Sequence, residues 1–122
     1  MEKSHKNLNA WQEAMDLVTS VYNVTGKFPD QEKYGLTSQM RRAAVSIPAN
    51  IAEGAGRNSD KELIQFLYIS LGSLEELETM IIIGSNLKYF ESKKINEVEE
   101  KIVHIRKLLI GLIKYLKNKN KV

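Results

Sequence analysis

Apolar residues recur at steps of three and four along nearly the whole chain. No stretch alternates with period two for long enough to make a strand, so the pattern predicts an all-α protein. Leu8, Trp11, Met15, Val18, Tyr22 and Thr25, with Ala14 and Val21 beside them, mark one face of a first helix. Gly26 is its expected stop, and Phe28-Pro29-Asp30 reads as a turn. Thr37 is the expected N-cap of a second helix, which turns Met40, Ala43, Ala44, Ile47, Ile51 and Ala55 inward. Pro48 removes one backbone donor, which predicts a kink near Ala44. Two shorter helices are the alternative, but the apolar spacing crosses Pro48 without a shift and favours one kinked helix. Gly54 and Gly56 are expected to end it at a left-handed cap.

Ser59-Asp60-Lys61-Glu62 has the form of a capping box, in which hydroxyl and carboxylate each satisfy an exposed backbone N–H. Behind it Leu63, Phe66, Leu67, Leu74, Leu77 and Ile81 predict a long third helix reaching about Asn86. Its apolar surface is broad, with Ile64, Tyr68, Leu71 and Ile82 added to the main stripe. Residues 87–92 form the next connection, and Ser92 is the expected cap of a fourth helix. There Ile95, Val98, Ile102, Ile105, Leu109, Leu112 and Leu116 follow steps of 3-4-3-4-3-4, a heptad seam. Four helices with short connections imply an antiparallel up-down-up-down four-helix bundle, helix two kinked at Pro48, forming one domain over residues 1–122.

Composition narrows the possibilities further. The 122 residues contain no cysteine, which excludes a disulfide framework, a thiolate metal site and a cysteine nucleophile. The start, Met1 to Asn7, has no apolar stretch of leader length, and the longest apolar run, Leu108 to Ile113, is far short of the roughly 20 residues that span a bilayer. A soluble, cytoplasmic protein without membrane contact is expected. The net charge of +3 is unevenly spread: +1 over residues 1–58, −4 over 59–91 and +6 over 92–122. Neighbouring helices can neutralise one another across a bundle surface. The other reading is a basic face for nucleic acid, with Lys114 and Lys117 in the basic segment, because phosphate contacts need clustered cations.

Catalytic and cofactor signals are missing. A ferritin-like metal site needs Glu-x-x-His on two helices, whereas this chain has two histidines, His5 and His104, so neither a metal nor another cofactor is expected. Gly54-Ala55-Gly56-Arg57-Asn58-Ser59 superficially resembles a phosphate loop but follows a helix and lacks the Lys-Ser/Thr pair. Glu75, Glu76 and Glu78 read as a solvated acidic surface. No nucleophile-base set appears, and the reading is of a non-enzyme.

Helix two is the most informative segment. Gln39, Arg42, Ser46, Asn50, Glu53 and Arg57 fall at steps of 3, 4, 4, 3 and 4, forming one polar stripe among small and apolar neighbours such as Val45, Ala49 and Ala52. A helix apolar on more than one side is covered on more than one side, which points to a central position or a subunit interface. Gln39, Ser46, Asn50 and Glu53 then either pair across subunits or form a solvent-facing strip with an intrahelical Glu53–Arg57 pair.

Two segments carry a family resemblance. Leu8-Asn9-Ala10-Trp11-Gln12-Glu13-Ala14-Met15-Asp16-Leu17-Val18 followed by Phe28-Pro29 is one. The run from Tyr34 through Arg41-Arg42-Ala43-Ala44-Val45-Ser46-Ile47-Pro48-Ala49-Asn50-Ile51-Ala52-Glu53-Gly54, with Gly56-Arg57 after it, is the other. With Phe66-Leu67 and Gly72 to Thr79, the chain resembles the bacterial 23S ribosomal RNA intervening-sequence proteins, relatives of the accessory variability determinant of diversity-generating retroelements. The resemblance implies a four-helix protomer in a ring-like homopentamer, associated with RNA or DNA and without known catalysis. It also implies a second possibility, a scaffold for a protein partner such as a reverse transcriptase. By position, Arg41, Arg42 and Arg57 are the basic residues it assigns to phosphate or to the assembly.

Overall fold

A computed structural model describes residues 5–121. The leader reading rests partly on Met1 to Ser4, which lie outside the described residues, as does Val122. Within them the chain forms α1 (Asn9–Thr25), α2 (Leu36–Ala55), α3 (Asp60–Asn86) and α4 (Ser92–Lys119), with 3-10 turns at His5–Asn7 and Asp30–Glu32 and no strand. The all-α four-helix reading holds. α2 packs against α1 and α3, and α4 against α3 and α1, so the helices follow chain order around one core. Along α3 and α4 the paired residues run in opposite order: Asp60 meets Lys119, Tyr68 meets Lys117, and Glu75 meets Arg106.

The core stripe of each helix explains why it forms. Leu17, Ile47, Ile51, Leu74, Ile105 and Leu109 have no accessible surface, and each such side chain contributes roughly 1.5–3 kcal/mol through burial. In α1 the buried line is Ala10, Ala14, Leu17 and Val21, while Met15 and Tyr22 from the expected face stay exposed. In α4 the buried positions are Val98, Ile102, Ile105, Leu109, Ile113 and Leu116. Their steps of four, three, four, four and three average 3.6, so Ile113 replaces the expected Leu112 and the repeat is that of a straight helix.

Three expected helix ends are corrected. α2 starts at Leu36, so Thr37 is not its cap; the Glu32 carboxylate accepts the Leu36 N–H at 3.1 Å. Ser92 is already helical and follows an N-cap at Glu91 that makes no side-chain cap bond. Gly54 lies inside α2, and Gly56 closes it with φ −83°, so no left-handed cap exists there. Gly54 serves another need: a Cβ at this position would lie 2.7 Å from the Phe66 Cβ, so its bareness lets α2 and α3 approach. Nearby, the buried Ser70 hydroxyl donates to the Ile47 carbonyl at 2.9 Å, and α2 runs through Pro48 as one helix.

Half of the expected capping box at α3 forms: the Ser59 hydroxyl accepts the Glu62 N–H at 3.2 Å, while the Glu62 carboxylate takes the Ser59 hydroxyl at 3.3 Å in place of the backbone N–H. Among the described residues the left-handed one is Lys88, φ 61°, which ends α3 as Tyr89 N–H bonds the Gly84 carbonyl at 3.0 Å and Lys88 N–H the Ser85 carbonyl at 3.0 Å.

Candidate nucleic-acid interface

Chain order around the bundle brings the end of α2, the start of α3 and the end of α4 to one pole. The Asp60–Lys119 pair at 3.2 Å and the Tyr68–Lys117 hydrogen bond at 2.7 Å hold α3 and α4 together there. Arg57 leaves α2 at this pole, lies 3.1 Å from Glu53 and 4.0 Å from Glu62, and covers the Phe66 ring at 4.9 Å from its centroid. Lys114 and Lys117 project from the last turns of α4, and Lys61 from the first turn of α3. Neither Lys61 nor Lys114 has a hydrogen bond or ion pair among the described residues.

The five cations singled out in the sequence therefore split into two groups. Arg57, Lys114 and Lys117 share one pole, while Arg41 and Arg42 sit near the start of α2, about 20 Å away along the helix axis at ~1.5 Å per residue. Arg41 is engaged internally: its Nε donates to Thr25 Oγ1 at 2.9 Å, its Nη2 to the Tyr22 carbonyl at 3.3 Å, and it lies 4.5 Å from the Tyr22 ring centroid. A cation over the last carbonyls of α1 suits the helix dipole, so Arg41 ties α1 to α2. Arg42 is exposed and unpaired among the described residues.

The polar stripe of α2 is divided in the same way. The Glu53–Arg57 pair forms within the helix. Ser46 Oγ lies 2.9 Å from Ser73 Oγ, and Asn50 Nδ2 donates to the Ser46 carbonyl at 2.8 Å and to its hydroxyl at 2.9 Å. The Ser46–Ser73 contact ties α2 to α3 within the protomer, and the Asn50 bonds stay inside α2 and hold the Ser46 hydroxyl in place. Gln39 is exposed, and the apolar Val45 and Ala49 remain accessible on the outer flank.

Elsewhere charge is locked into pairs. Arg106 bridges Glu75 and Glu78, each at 2.8 Å, and its pKa rises above the ordinary arginine value chiefly through the hydrogen bond to Glu75, against the effect of burial. The acidic cluster of α3 is thus partly a clamp for α4, where a purely solvated surface was expected. At the pole opposite Arg57 a cleft of about 510 Å³ lies beside Lys27, Tyr89, Phe90 and Lys94. Next to it Tyr89 donates its hydroxyl to Glu32 at 2.7 Å, which pulls the Glu32 carboxyl below its usual pKa and pushes the Tyr89 hydroxyl up.

Tyr68, Lys61 and Arg106 are the residues that sequence reasoning missed in functional roles. Tyr68 counted as part of the apolar breadth of α3, yet it is 48% exposed. Among the described residues no group of three or more His, Asp or Glu is placed to hold a metal ion, and no helix is long and apolar enough to cross a membrane.

Comparison with known proteins adds the following. The sequence profile described as 23S rRNA-intervening sequence protein matches residues 6–111. A crystal structure at 1.70 Å of a protein of unknown function from the S23 ribosomal protein family of Bacteroides thetaiotaomicron superposes with a TM-score of 0.79. It is 24% identical, and the alignment covers 86% of this chain and 95% of that one, a likeness of fold. No curated protein matches.

Proposed function

Because the chain belongs to the 23S rRNA-intervening sequence protein family, we propose that it is a non-enzymatic, cytoplasmic homopentamer that associates with RNA or DNA. The observation that carries this reading is the gathering of Arg57, Lys61, Lys114 and Lys117 at one pole from three helix ends. Two of these cations, Lys61 and Lys114, have no partner among the described residues, which leaves them available to phosphate. Arg42, at the other pole, is a further free cation. The outer face of α2, with Gln39 and Glu53 exposed beside Val45 and Ala49, is the surface we assign to contact between copies, and Ser46 and Asn50, half-buried and bonded within the protomer, border it.

Phosphate contact has a recognisable signature. Three phosphates neutralised on a single strand should weaken binding about 20-fold between 50 and 200 mM salt. A gel-shift series with structured RNA and with DNA measures this, and light scattering gives the oligomer mass. Absence of any shift at 50 mM salt would overturn the nucleic-acid reading, and a monomeric mass would overturn the pentamer.

A second reading, a scaffold for a protein such as a reverse transcriptase, is favoured by one observation. Val103 and Ile110 flank Arg106 on α4 and are 42% and 40% exposed, and Ile82 on α3 is 51% exposed. Apolar side chains grouped on one surface favour a protein partner. Co-elution with a reverse transcriptase, without a nucleic-acid shift, is the result that selects this reading.

A further inference from the structure

At the pole that carries Arg57, a groove of about 430 Å³ runs between α3 and α4. Lys61, Gln65 and Tyr68 border it from α3, Lys117 from α4 and Asn120 from the turn just past α4, with Ile64 among the lining side chains. Its volume falls within the range of about 300–1,000 Å³ typical of sites for small ligands and cofactors. Lys61, Gln65 and Tyr68 are spaced four and three apart, so they rise along one face of α3. Among the described residues no carboxylate lines the groove. Of the two carboxylates that flank Lys61 in sequence, Asp60 is engaged by Lys119 at 3.2 Å and by Asn120 at 3.0 Å, and Glu62 by the Ser59 hydroxyl at 3.3 Å and by Arg57 at 4.0 Å.

Of the four exposed tyrosines among the described residues, Tyr68 is the one that lines this groove. A large aromatic ring at a helix surface is 48% accessible, and a lysine is fixed beside it: Lys117 Nζ donates to the Tyr68 hydroxyl at 2.7 Å and lies 5.1 Å from the ring centroid. A ring flanked by cations is the combination that binds unpaired nucleotides, since any base stacks on an aromatic face while lysines take the backbone phosphates. A paired base in a duplex has no free face to offer.

We propose that this groove is a site for single-stranded nucleic acid, with one base stacked on Tyr68 and the adjacent phosphates held by Lys61 and Lys117. Gln65 lines the same groove, and its amide is the group we assign to a base edge. The site rests on the nucleic-acid reading above and specifies its chemistry: an unpaired base and its phosphates.

Fluorescence anisotropy with labelled ten-nucleotide oligo-dT and oligo-U, beside a duplex of equal length, tests it. Tyr68→Ala should weaken single-strand binding by about 5- to 150-fold, the loss expected for one stacked base, and leave duplex binding unchanged. Tyr68→Phe, which keeps the ring, should stay within about three-fold of the parent. Lys61→Gln removes an exposed, unpartnered cation without touching the core, and should lower the salt slope by about 0.7. If Tyr68→Ala melts early, that variant carries the test alone. Unchanged single-strand affinity in Tyr68→Ala, or an unchanged affinity and salt slope in Lys61→Gln, overturns the groove while the nucleic-acid reading stands. No binding of either strand form by the parent protein overturns both.

Discussion

Replacing glycine by alanine within a helix ordinarily stabilises it, and Gly54 is the position where the sign should reverse. Alanine is favoured over glycine by about 0.8–1 kcal/mol in a helix interior, because glycine loses more backbone freedom on folding. At Gly111 in α4 and Gly72 in α3 an added Cβ meets no atom within 4 Å. Gly111→Ala and Gly72→Ala should therefore gain close to that full amount. At Gly54 the new methyl would lie 2.7 Å from the Phe66 Cβ, 3.0 Å from Leu63 Cδ1 and 3.4 Å from Leu63 Cα. The Phe66 Cβ is the stem of its side chain and cannot swing aside, so α2 and α3 must separate. Overpacking of this kind costs about 1–3 kcal/mol, which outweighs the propensity gain or cancels it. The net effect of Gly54→Ala is then a loss of about 0–2 kcal/mol, and the gap from Gly111→Ala is about 1–3 kcal/mol. For a chain of 122 residues each kcal/mol moves the melting temperature by about 3–6 °C. Circular-dichroism melts of the three variants, each at two protein concentrations to expose any contribution from assembly, measure it. If Gly54→Ala raises the melting temperature as much as Gly111→Ala does, the close approach of α2 and α3 is refuted.

Other substitutions probe the two ends of the inter-helix turns. Lys88 occupies a left-handed position, φ 61°, that costs a side-chain-bearing residue about 1 kcal/mol, so Lys88→Gly should raise stability by about 0.5–1 kcal/mol in urea unfolding; a loss would refute the turn geometry. Glu32 has its pKa lowered from 4.5, first by the Tyr89 hydroxyl and then by the Leu36 N–H, so its stabilisation is complete above that value and fades as pH falls through the lower folded-state pKa. Glu32→Gln should therefore melt earlier at pH 7 and lose less between about pH 5 and pH 3 than the parent; equal acid losses in the two proteins would refute the pairing.

Local features were legible in the sequence and pairings between distant segments were not. The Ser59–Glu62 box is read from adjacent residues, and its bonds need nothing beyond one turn of helix. The α4 seam is legible through Leu109 and again at Leu116; between them spacings of 3.5 and 3.6 select different residues, and packing against the other helices selects Ile113 over Leu112. Gly54 reads as a stop because a glycine near a helix end looks the same whether it serves a backbone angle or a close approach. The cap on α2 comes from Glu32, a side chain in a different turn, so Thr37 looked adequate by itself. Arg57 and Lys117 are recognisable as cations, but their meeting at one pole depends on how α3 returns the chain along the bundle. Lys61 and Tyr68 had no distinguishing spacing: one looked like part of a capping box and the other like part of a core stripe.

In the proposed platform at the α3–α4 pole, the residues assigned to base and phosphate, Lys61, Tyr68 and Lys117, all lie on helices. Helical pitch fixes Lys61 and Tyr68 about 10 Å apart along the axis, and loop motion cannot vary that interval. A binder of this kind has little freedom to adapt its shape to different ligands, so discrimination would come from which nucleotides can bend to meet it. The core faces of both helices point the other way. Partner preference could therefore drift through surface substitutions at the pole while the packing of the bundle stays as it is.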